Sequence, residues 1–428
     1  MNLINNINQI KLGIIGMGYV GLPLAYYFSK KRKVICFDIN KDRIQNLKKG
    51  IDQNNEISKY KLIKNKNLIL TFDKKRLKDC NFFIVTVPTP VFKNKKPNLI
   101  HLIRATKLIA NYITKGSFVI YESTVYPGCT EEICIPLIEK ISGFKLNNDF
   151  FCGYSPERIN PGDKKNNLKN MIKVISGSNK YSQDMIDKLY SSVTNSNTFV
   201  AKNIKTAEAA KIIENTQRDI NISLMNEFSM ICNKLKIKTK DVLDAANTKW
   251  NFVNFSPGLV GGHCVSVDPY YLSYKALKMG LKPKMILSGR EINDSMPKIV
   301  VKDLIHFLKK REVFKFSKLK LLMLGLSFKE DVSDIRNSKS IEMIKLLKNN
   351  FIVHSYDPIS FIPEKKIIKT LNIKNFLNKN YYDIIILSVP HKIFLKKGFK
   401  NLESLGKKNF IFFDLKSAFP KSKSHYSL

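Results

Sequence analysis

A chain of 428 residues, 44% hydrophobic and 25% charged, has room for two or three globular domains with ample core. Its 73 basic and 35 acidic side chains leave a formal charge of +38. The lysines run through the whole chain among many Asn and Ile, which argues against a dedicated nucleic-acid tract and leaves non-specific attraction, including attraction of an anionic substrate.

The first predicted element is an apolar strand at residues 10–15. Gly16, Gly18 and Gly21 follow it as G-x-G-x-x-G, then an apolar helix to about Ser29 and a second strand, 34–37, ending at Asp38. Strand, glycine turn, helix and strand in that order are the setting in which these glycines bind a dinucleotide. They permit a tight turn and a close approach of backbone to pyrophosphate, and the helix N-terminus adds unpaired N–H groups. Asp38 lies where a carboxylate accepts from a ribose hydroxyl. It would repel a 2′-phosphate, so NAD is predicted rather than NADP.

Residues 81–90 and 117–128 read as further buried strands ending in Thr, Pro or Gly. Loops at the carboxyl ends of parallel strands line the ligand crevice, so Thr89 and the "ESTVYPG" turn are candidate ligand contacts. From 206 to 235 the period changes. Ala210, Ile213, Gln217, Ile220, Leu224, Phe228, Ile231 and Leu235 recur at spacings of three and four, without Gly or Pro, and predict a long helix with an apolar core stripe. Such a helix could act as a spine between domains and a dimer seam. Lys211 and Asn215, four apart, project beside that stripe; spacing alone reads Lys211 as a snorkelling surface residue.

Residues 258–272, "GLVGGHCVSVDPYYL", hold Cys264 after two glycines and His263. The chain has seven scattered cysteines and no CxxC pair, which argues for reduced thiols over a disulfide framework. His263 and Cys264 lack partners at metal-ligand spacing, so no metal is expected. A nucleophile and a small buried thiol remain the open readings. A second α/β pattern begins near Leu319: "LKLLML", "FIVHSYDP", "YYDIIILSVP" and "FIFFDLK" read as strands, and the second repeats the strand-to-Asp ending of the first segment. The predicted fold is α/β: two Rossmann-like doubly wound parallel-sheet domains, at 1–200 and 301–428, joined by a helical central domain at 201–300 with one long helix. No apolar run is long enough to span a bilayer and the N-terminus shows no cleavable leader, so a soluble cytoplasmic protein is expected.

Five motifs together resemble the UDP-glucose/GDP-mannose 6-dehydrogenase family: "GMGYVG" (16–21), "YESTVYPG" (121–128), "GYSPERINPGD" (153–163), "GLVGGHCVSVDPYYL" (258–272) and "GLSFKEDVSDIRNSKS" (325–340). "KTAEAAKIIENTQRD" (205–219) adds the helix signature. The resemblance spans roughly residues 10–420. The "GGHC…VDPYYL" form is similar to the branch acting on UDP-N-acetylhexosamines, because relatives acting on UDP-glucose usually carry a lysine where Val267 stands. Ser256 departs from the family, standing where many relatives have a basic residue.

The resemblance implies an NAD-dependent four-electron oxidation of a sugar C6 hydroxyl to a carboxylate, for surface polysaccharide precursors, by a homodimer or higher homo-oligomer. The alternatives are UDP-glucose as substrate, a two-electron hydroxy-acid dehydrogenase, or a non-catalytic NAD- or nucleic-acid-binding protein. By the same resemblance Cys264 is the nucleophile of a thiohemiacetal and a thioester. Lys211 stabilises the oxyanion, Asn215 orients the reacting oxygen, and Asp268 takes protons or positions water. Glu157 serves thioester hydrolysis and Thr124 holds a water. Gly16, Gly18, Tyr19, Val20, Gly21, Asp38, Arg43, Thr89 and Thr124 are implied NAD contacts. Glu157, Arg158, Lys211, Gly261, Lys329 and Arg336 are implied UDP-sugar contacts, two cations in the last segment suiting a diphosphate. His263 is left to packing or a substrate hydrogen bond.

Overall fold

The computed structural model describes residues 4–428 except 55, 159–167, 169, 196, 312–317 and 361–364. The end of the "GYSPERINPGD" motif lies outside the described residues. The chain divides into two compact units, Met1–Glu214 with Tyr270–Lys282, and Asn215–Pro269 with Pro283–Leu428.

Among the described residues the first unit has eight strands: β1 (Leu12–Ile15), β2 (Val34–Phe37), β3 (Leu68–Thr71), β4 (Phe82–Val85), β5 (Ser117–Tyr121), β6 (Phe150–Tyr154), β7 (Val174–Gly177) and β8 (Phe199–Val200). Their order is β3-β2-β1-β4-β5-β6-β7-β8. Strand pairing is parallel throughout except at β6–β7, which is antiparallel. That pair is the one antiparallel step among the described strands of the parallel sheet the sequence predicts. Strands β1, β2, β4, β5 and β6 are buried along their whole length, which is why they read as unbroken apolar runs rather than alternations. Leu12, Ile14, Phe82, Ile84, Phe118 and Ile120 belong to one continuous core. Each such side chain contributes about 1.5–3 kcal/mol on burial.

The second unit holds a four-stranded parallel sheet: β9 (Lys320–Leu324), β10 (Ile352–Tyr356), β11 (Tyr382–Leu387) and β12 (Gly406–Asp414), in the order β10-β9-β11-β12. Alternate residues enter two different cores. Leu321, Met323, Ile384 and Ile386 pack with Met296, Val300 and Leu304 of the helix Lys284–Lys310, whereas Leu322, Leu324, Ile385 and Leu387 pack with Phe394 and Leu402. Both faces of the sheet are thus covered, as a parallel sheet requires.

The predicted long helix is Ile204–Leu235. The face it buries is not the predicted one. Ile213, Leu224, Ile231 and Leu235 are half or more exposed, while Glu208, Lys211, Asn215, Asp219, Asn226 and Ser229 are buried. The apolar stripe faces outward, and the polar residues beside it face inward, each needing partners. Among the described residues no helix is long and apolar enough to cross a membrane.

Candidate active site

In the first unit, the chain leaves β1 through Gly16, whose φ of +100° is left-handed and favours glycine. The Gly16 N–H bonds the Phe37 carbonyl at 2.8 Å, tying the turn to β2. Tyr19 and Val20 complete the turn, and the helix Gly21–Ser29 begins directly after them. A Cβ on Gly21 would fall 1.9 Å from the Gly16 carbonyl oxygen, so the closed turn demands glycine there. A Cβ on Gly18 would meet nothing within 4 Å. That open face, beside a helix N-terminus, is what a pyrophosphate needs.

Asp38, just past β2, accepts from the Met17 N–H at 2.7 Å and the Asn40 N–H at 2.8 Å, which fixes its carboxylate beside the glycine turn. Arg43 is buried; its Nε donates to the Met17 carbonyl at 2.9 Å and its Nη2 pairs with Asp52 at 2.8 Å. It therefore braces the turn through its own hydrogen bonds. Thr89 donates its hydroxyl to the Thr124 carbonyl at 2.6 Å, joining the loops after β4 and β5. Tyr271, from the "DPYYL" end of the cysteine motif, donates to the carbonyls of Thr89 (2.9 Å) and Pro90 (3.0 Å). These residues fit NAD by shape and chemistry: an open glycine, a helix start and a fixed carboxylate.

The loop after β6 carries Glu157 and Arg158. Glu157 Oε1 accepts from the Arg158 N–H at 2.7 Å, and the Arg158 guanidinium pairs with Glu214 at 2.8 Å. Lys211, expected at the surface, is instead buried, and its side chain makes no ion pair or hydrogen bond with the described residues. One turn earlier on the same helix, Glu208 accepts from the N–H groups of Gly128 (2.5 Å) and Thr130 (2.9 Å), anchoring the turn that follows Thr124. Burial pushes the Glu208 carboxyl up to about 7.

In the second unit, residues 262–267 form a turn that leads straight into the helix Asp268–Lys278. Of the seven cysteines six are buried and Cys264, on this turn, is exposed. Its carbonyl accepts from the N–H groups of Val267 (2.9 Å) and Asp268 (2.8 Å). Asn215 donates its amide to Asp268 Oδ2 at 2.6 Å, so the structure brings together Asn215, Asp268 and the Cys264 turn. The glycines before the cysteine have a packing cause. A Cβ on Gly261 would lie 2.6 Å from the Asn337 carbonyl, and one on Gly262 would lie 2.7 Å from the Phe328 ring. Gly262 also has φ +86°.

His263 reaches Asp334 at 2.6 Å, and the same carboxylate receives Arg336 at 3.0 Å (Nε) and 2.7 Å (Nη2). Hydrogen bonds from His263 and Arg336 outweigh burial and hold the Asp334 carboxyl well below the usual range. Arg336 thus stands in a bidentate pair, with its guanidinium still more than half exposed. Lys329 lies on the same loop after β9, half-buried. Among the described residues no group of three His, Cys, Asp or Glu side chains could hold a metal.

The spacing of residues did not single out Asn226, Lys173 or Asp334. Asn226 donates to the Gly258 carbonyl (3.0 Å) and accepts from its N–H (2.8 Å), pinning the start of the cysteine loop. Its position on the helix face opposite the exposed apolar stripe is the one sequence signal that could have found it.

Three stretches of the chain match successive parts of one family. Residues 10–194 match the NAD binding domain of the UDP-glucose/GDP-mannose dehydrogenase family, 205–295 its central domain and 322–421 its UDP binding domain. The chain is 45% identical over 427 residues to UDP-N-acetyl-D-glucosamine 6-dehydrogenase of Salmonella typhi, covering 99% of each chain. It is 45% identical over 408 residues to Protein CapL of Staphylococcus aureus, covering 95% of each. Among solved structures it is similar to UDP-D-ManNAc dehydrogenase from Pyrococcus horikoshii, with a TM-score of 0.87, 28% identity and 98% of each chain covered.

Proposed function

The chain belongs to the UDP-glucose/GDP-mannose dehydrogenase family, and from that premise we propose that it oxidises C6 of a UDP-N-acetylhexosamine to the uronic acid. It is an NAD-dependent nucleotide-sugar 6-dehydrogenase, and NAD takes up a hydride in each of two oxidations. We assign residues 1–200 to cofactor binding, 201–300 to the helical centre with Cys264, and 301–428 to the UDP-sugar. The observation that carries the chemistry is Cys264: the exposed thiol of the seven, on a glycine-shaped turn, in a chain with a dinucleotide turn.

In this reading the first oxidation removes a hydride and the hydroxyl proton and leaves an aldehyde at C6. The Cys264 sulfur adds to that carbon while the thiol proton passes to the oxygen, and the resulting thiohemiacetal can lose a second hydride together with its hydroxyl proton to become a thioester. Lys211 supplies an ammonium to the oxygen that gains charge, and Asn215 orients that oxygen. Water attacks the thioester carbon, the C–S bond breaks, and Glu157 receives the water's proton. Asp268 and Thr124 hold water or relay protons. Gly16, Gly18, Tyr19, Val20, Gly21, Asp38, Arg43, Thr89 and Thr124 bind or brace NAD. Arg158, Gly261, Lys329 and Arg336 bind the UDP-sugar; Arg336 would exchange part of its pair with Asp334 for phosphate.

Support for the N-acetylated substrate comes from Val267 in place of lysine and from the relative in Salmonella typhi, whose name specifies UDP-N-acetyl-D-glucosamine. The relative of known structure named for UDP-D-ManNAc makes the manno epimer the second candidate. We place the enzyme in the cytoplasm as a homo-oligomer, seated on the exposed stripe of Ile204–Leu235. The deciding measurement counts NADH released per UDP-sugar consumed across a panel of gluco, galacto and manno N-acetylhexosamines and UDP-glucose. Two NADH per sugar, highest kcat/KM on an N-acetylated member, and no acid from Cys264→Ala are expected. One NADH per sugar, or a normal rate of acid formation in that variant, would sink the thioester route.

A further inference from the structure

Lys173 has no part in the chemistry above, yet it is among the most enclosed charges of the first unit. It stands just before β7 with its side chain 2% exposed. Its Nζ lies 2.8 Å from Glu122 Oε2, 3.0 Å from the Pro156 carbonyl and 3.7 Å from Glu157 Oε2. Two of its donors bond Glu122 Oε2 and the Pro156 carbonyl, and Glu157 Oε2 lies within ion-pair range but beyond hydrogen-bond reach. Glu122 follows β5, Glu157 follows β6, and Tyr190, from the helix Lys180–Ser191, donates its hydroxyl to Glu122 Oε1. The Tyr190 ring lies 5.4 Å from the ammonium.

One buried cation therefore serves two carboxylates. Burying two carboxylates with one ammonium leaves a formal surplus of one negative charge, and desolvation favours protonating one of them. Glu122 is the one more deeply enclosed, and burial pushes its carboxyl up to about 7 against the pull of Lys173. Lys173 stands closer to Glu122, at 2.8 Å, than to Glu157, at 3.7 Å, so the two carboxylates compete for one charge. The contact with Pro156 adds a geometric term, since the same ammonium fixes the peptide immediately before Glu157.

We propose that Lys173 is a positioning residue that orients Glu157 and lends it positive charge for thioester hydrolysis, and that the Glu122–Tyr190 pair sets how much of that charge Glu157 receives. This rests on the reading of Glu157 as the group that takes the proton of the attacking water. Among the described residues, two further charged side chains lie near Glu157. Arg158 offers its backbone N–H and spends its guanidinium on Glu214. Glu56 faces Glu157 with like charge, beside Asp52, which Arg43 engages.

The test is the pH dependence of uronic acid release, with UDP-sugar and NAD, for Lys173→Met, Lys173→Arg, Glu122→Gln and Glu157→Gln beside the wild type. In Lys173→Met the acid limb should move up by about one pH unit or more, costing about tenfold in kcat below it. Lys173→Arg should restore most of that shift. Glu122→Gln should move the limb down, because Lys173 then serves Glu157 alone. KM for the UDP-sugar should change less than about threefold in all three, which a general loss of structure would not give. If Lys173→Met does not fold, Lys173→Arg and Glu122→Gln still decide. The inference is overturned if Glu157→Gln slows acid release while the limb stays at its wild-type position in the Lys173 and Glu122 variants. Acid release at the wild-type rate in Glu157→Gln instead removes the role of Glu157 itself, and the inference falls with it.

Discussion

At Gly18 an added methyl group meets open space, whereas at Gly21 it meets the Gly16 carbonyl oxygen at 1.9 Å. The two glycines of one motif are thus needed for different reasons, and substitution separates them. Gly18→Ala should fold with an unchanged Tm and bind NAD at least about tenfold more weakly, because the methyl occupies the approach of the pyrophosphate. Gly21→Ala should lose about 2–3 kcal/mol of stability, since backbone must move to relieve the overlap. Thermal melts with and without NAD distinguish them: added NAD should raise the Tm of the wild type far more than that of Gly18→Ala. The loop before Cys264 depends on single residues in the same way. Asn226 makes two buried hydrogen bonds to Gly258, so Asn226→Ala should cost about 2–3 kcal/mol by leaving that backbone unpaired.

At the scale of the element, the long helix shows what was and was not legible in the sequence. The spacing of Ile213, Leu224, Ile231 and Leu235 located the helix and its length, and the absence of Gly and Pro agreed. It did not reveal which face turns inward. Polar residues share the inward face with Ile212, Met225 and Cys232, and their partners come from far along the chain: Asp219 pairs with Arg290 at 2.6 Å and accepts from Asn293 at 2.7 Å, some 70 residues away. Glu208 meets N–H groups about 80 residues earlier. A hydrophobic period carries no information about such partners, so Lys211 read as a surface residue and proved buried. The strands were easier, since burial on both faces writes itself as an unbroken apolar run. The glycine turn and its tie to Asp38 were legible because neighbouring residues build them. The ties of Asp334 to His263 and of Lys173 to Glu122 were not, because the fold alone creates them. An outward apolar stripe on a helix is a natural seat for a second copy of the chain. If the proposed homo-oligomer sits on this stripe, Leu224→Glu with Ile231→Lys should give a smaller species by light scattering than the wild type, and an unchanged size would remove the stripe as its seat. The melting temperature of each folded chain should hold in dilute solution, where the stripe already meets water.

At the scale of the molecule, each unit contains the same strand-to-aspartate device, used differently. In the first unit, Gly16 donates to Phe37 at the end of β2 and the Met17 N–H reaches Asp38 at 2.7 Å. In the second, Gly325 (φ +84°) donates to Tyr356 at the end of β10 and the Leu326 N–H reaches Asp357 at 2.6 Å. Asp38 remains partly exposed with its carboxylate beside open Gly18. Asp357 is saturated: Ser327, Ile359 and Ser360 also donate to it, and His391, fully buried, lies 3.1 Å away. No lone pair of Asp357 is left to receive a ribose, so the duplicated fold carries dinucleotide recognition in the first unit. Asp38→Ala should weaken NAD about 10–100-fold and narrow the preference for NAD over NADP, because a carboxylate facing the 2′-phosphate is gone. Asp357→Asn should leave NAD affinity unchanged and lower stability instead. Hydrogen bonds from His391 and the turn outweigh burial and hold the Asp357 carboxyl below its ordinary value. A depressed carboxyl stabilises the fold above the unfolded value of roughly 4 and loses that contribution as pH falls through and below it. The stability gap between wild type and Asp357→Asn, measured by denaturant titration, should therefore be full at pH 7 and shrink below about pH 4. A gap that persisted at low pH, or a loss of NAD binding in Asp357→Asn, would place this carboxylate in a ligand site rather than in the architecture of the turn.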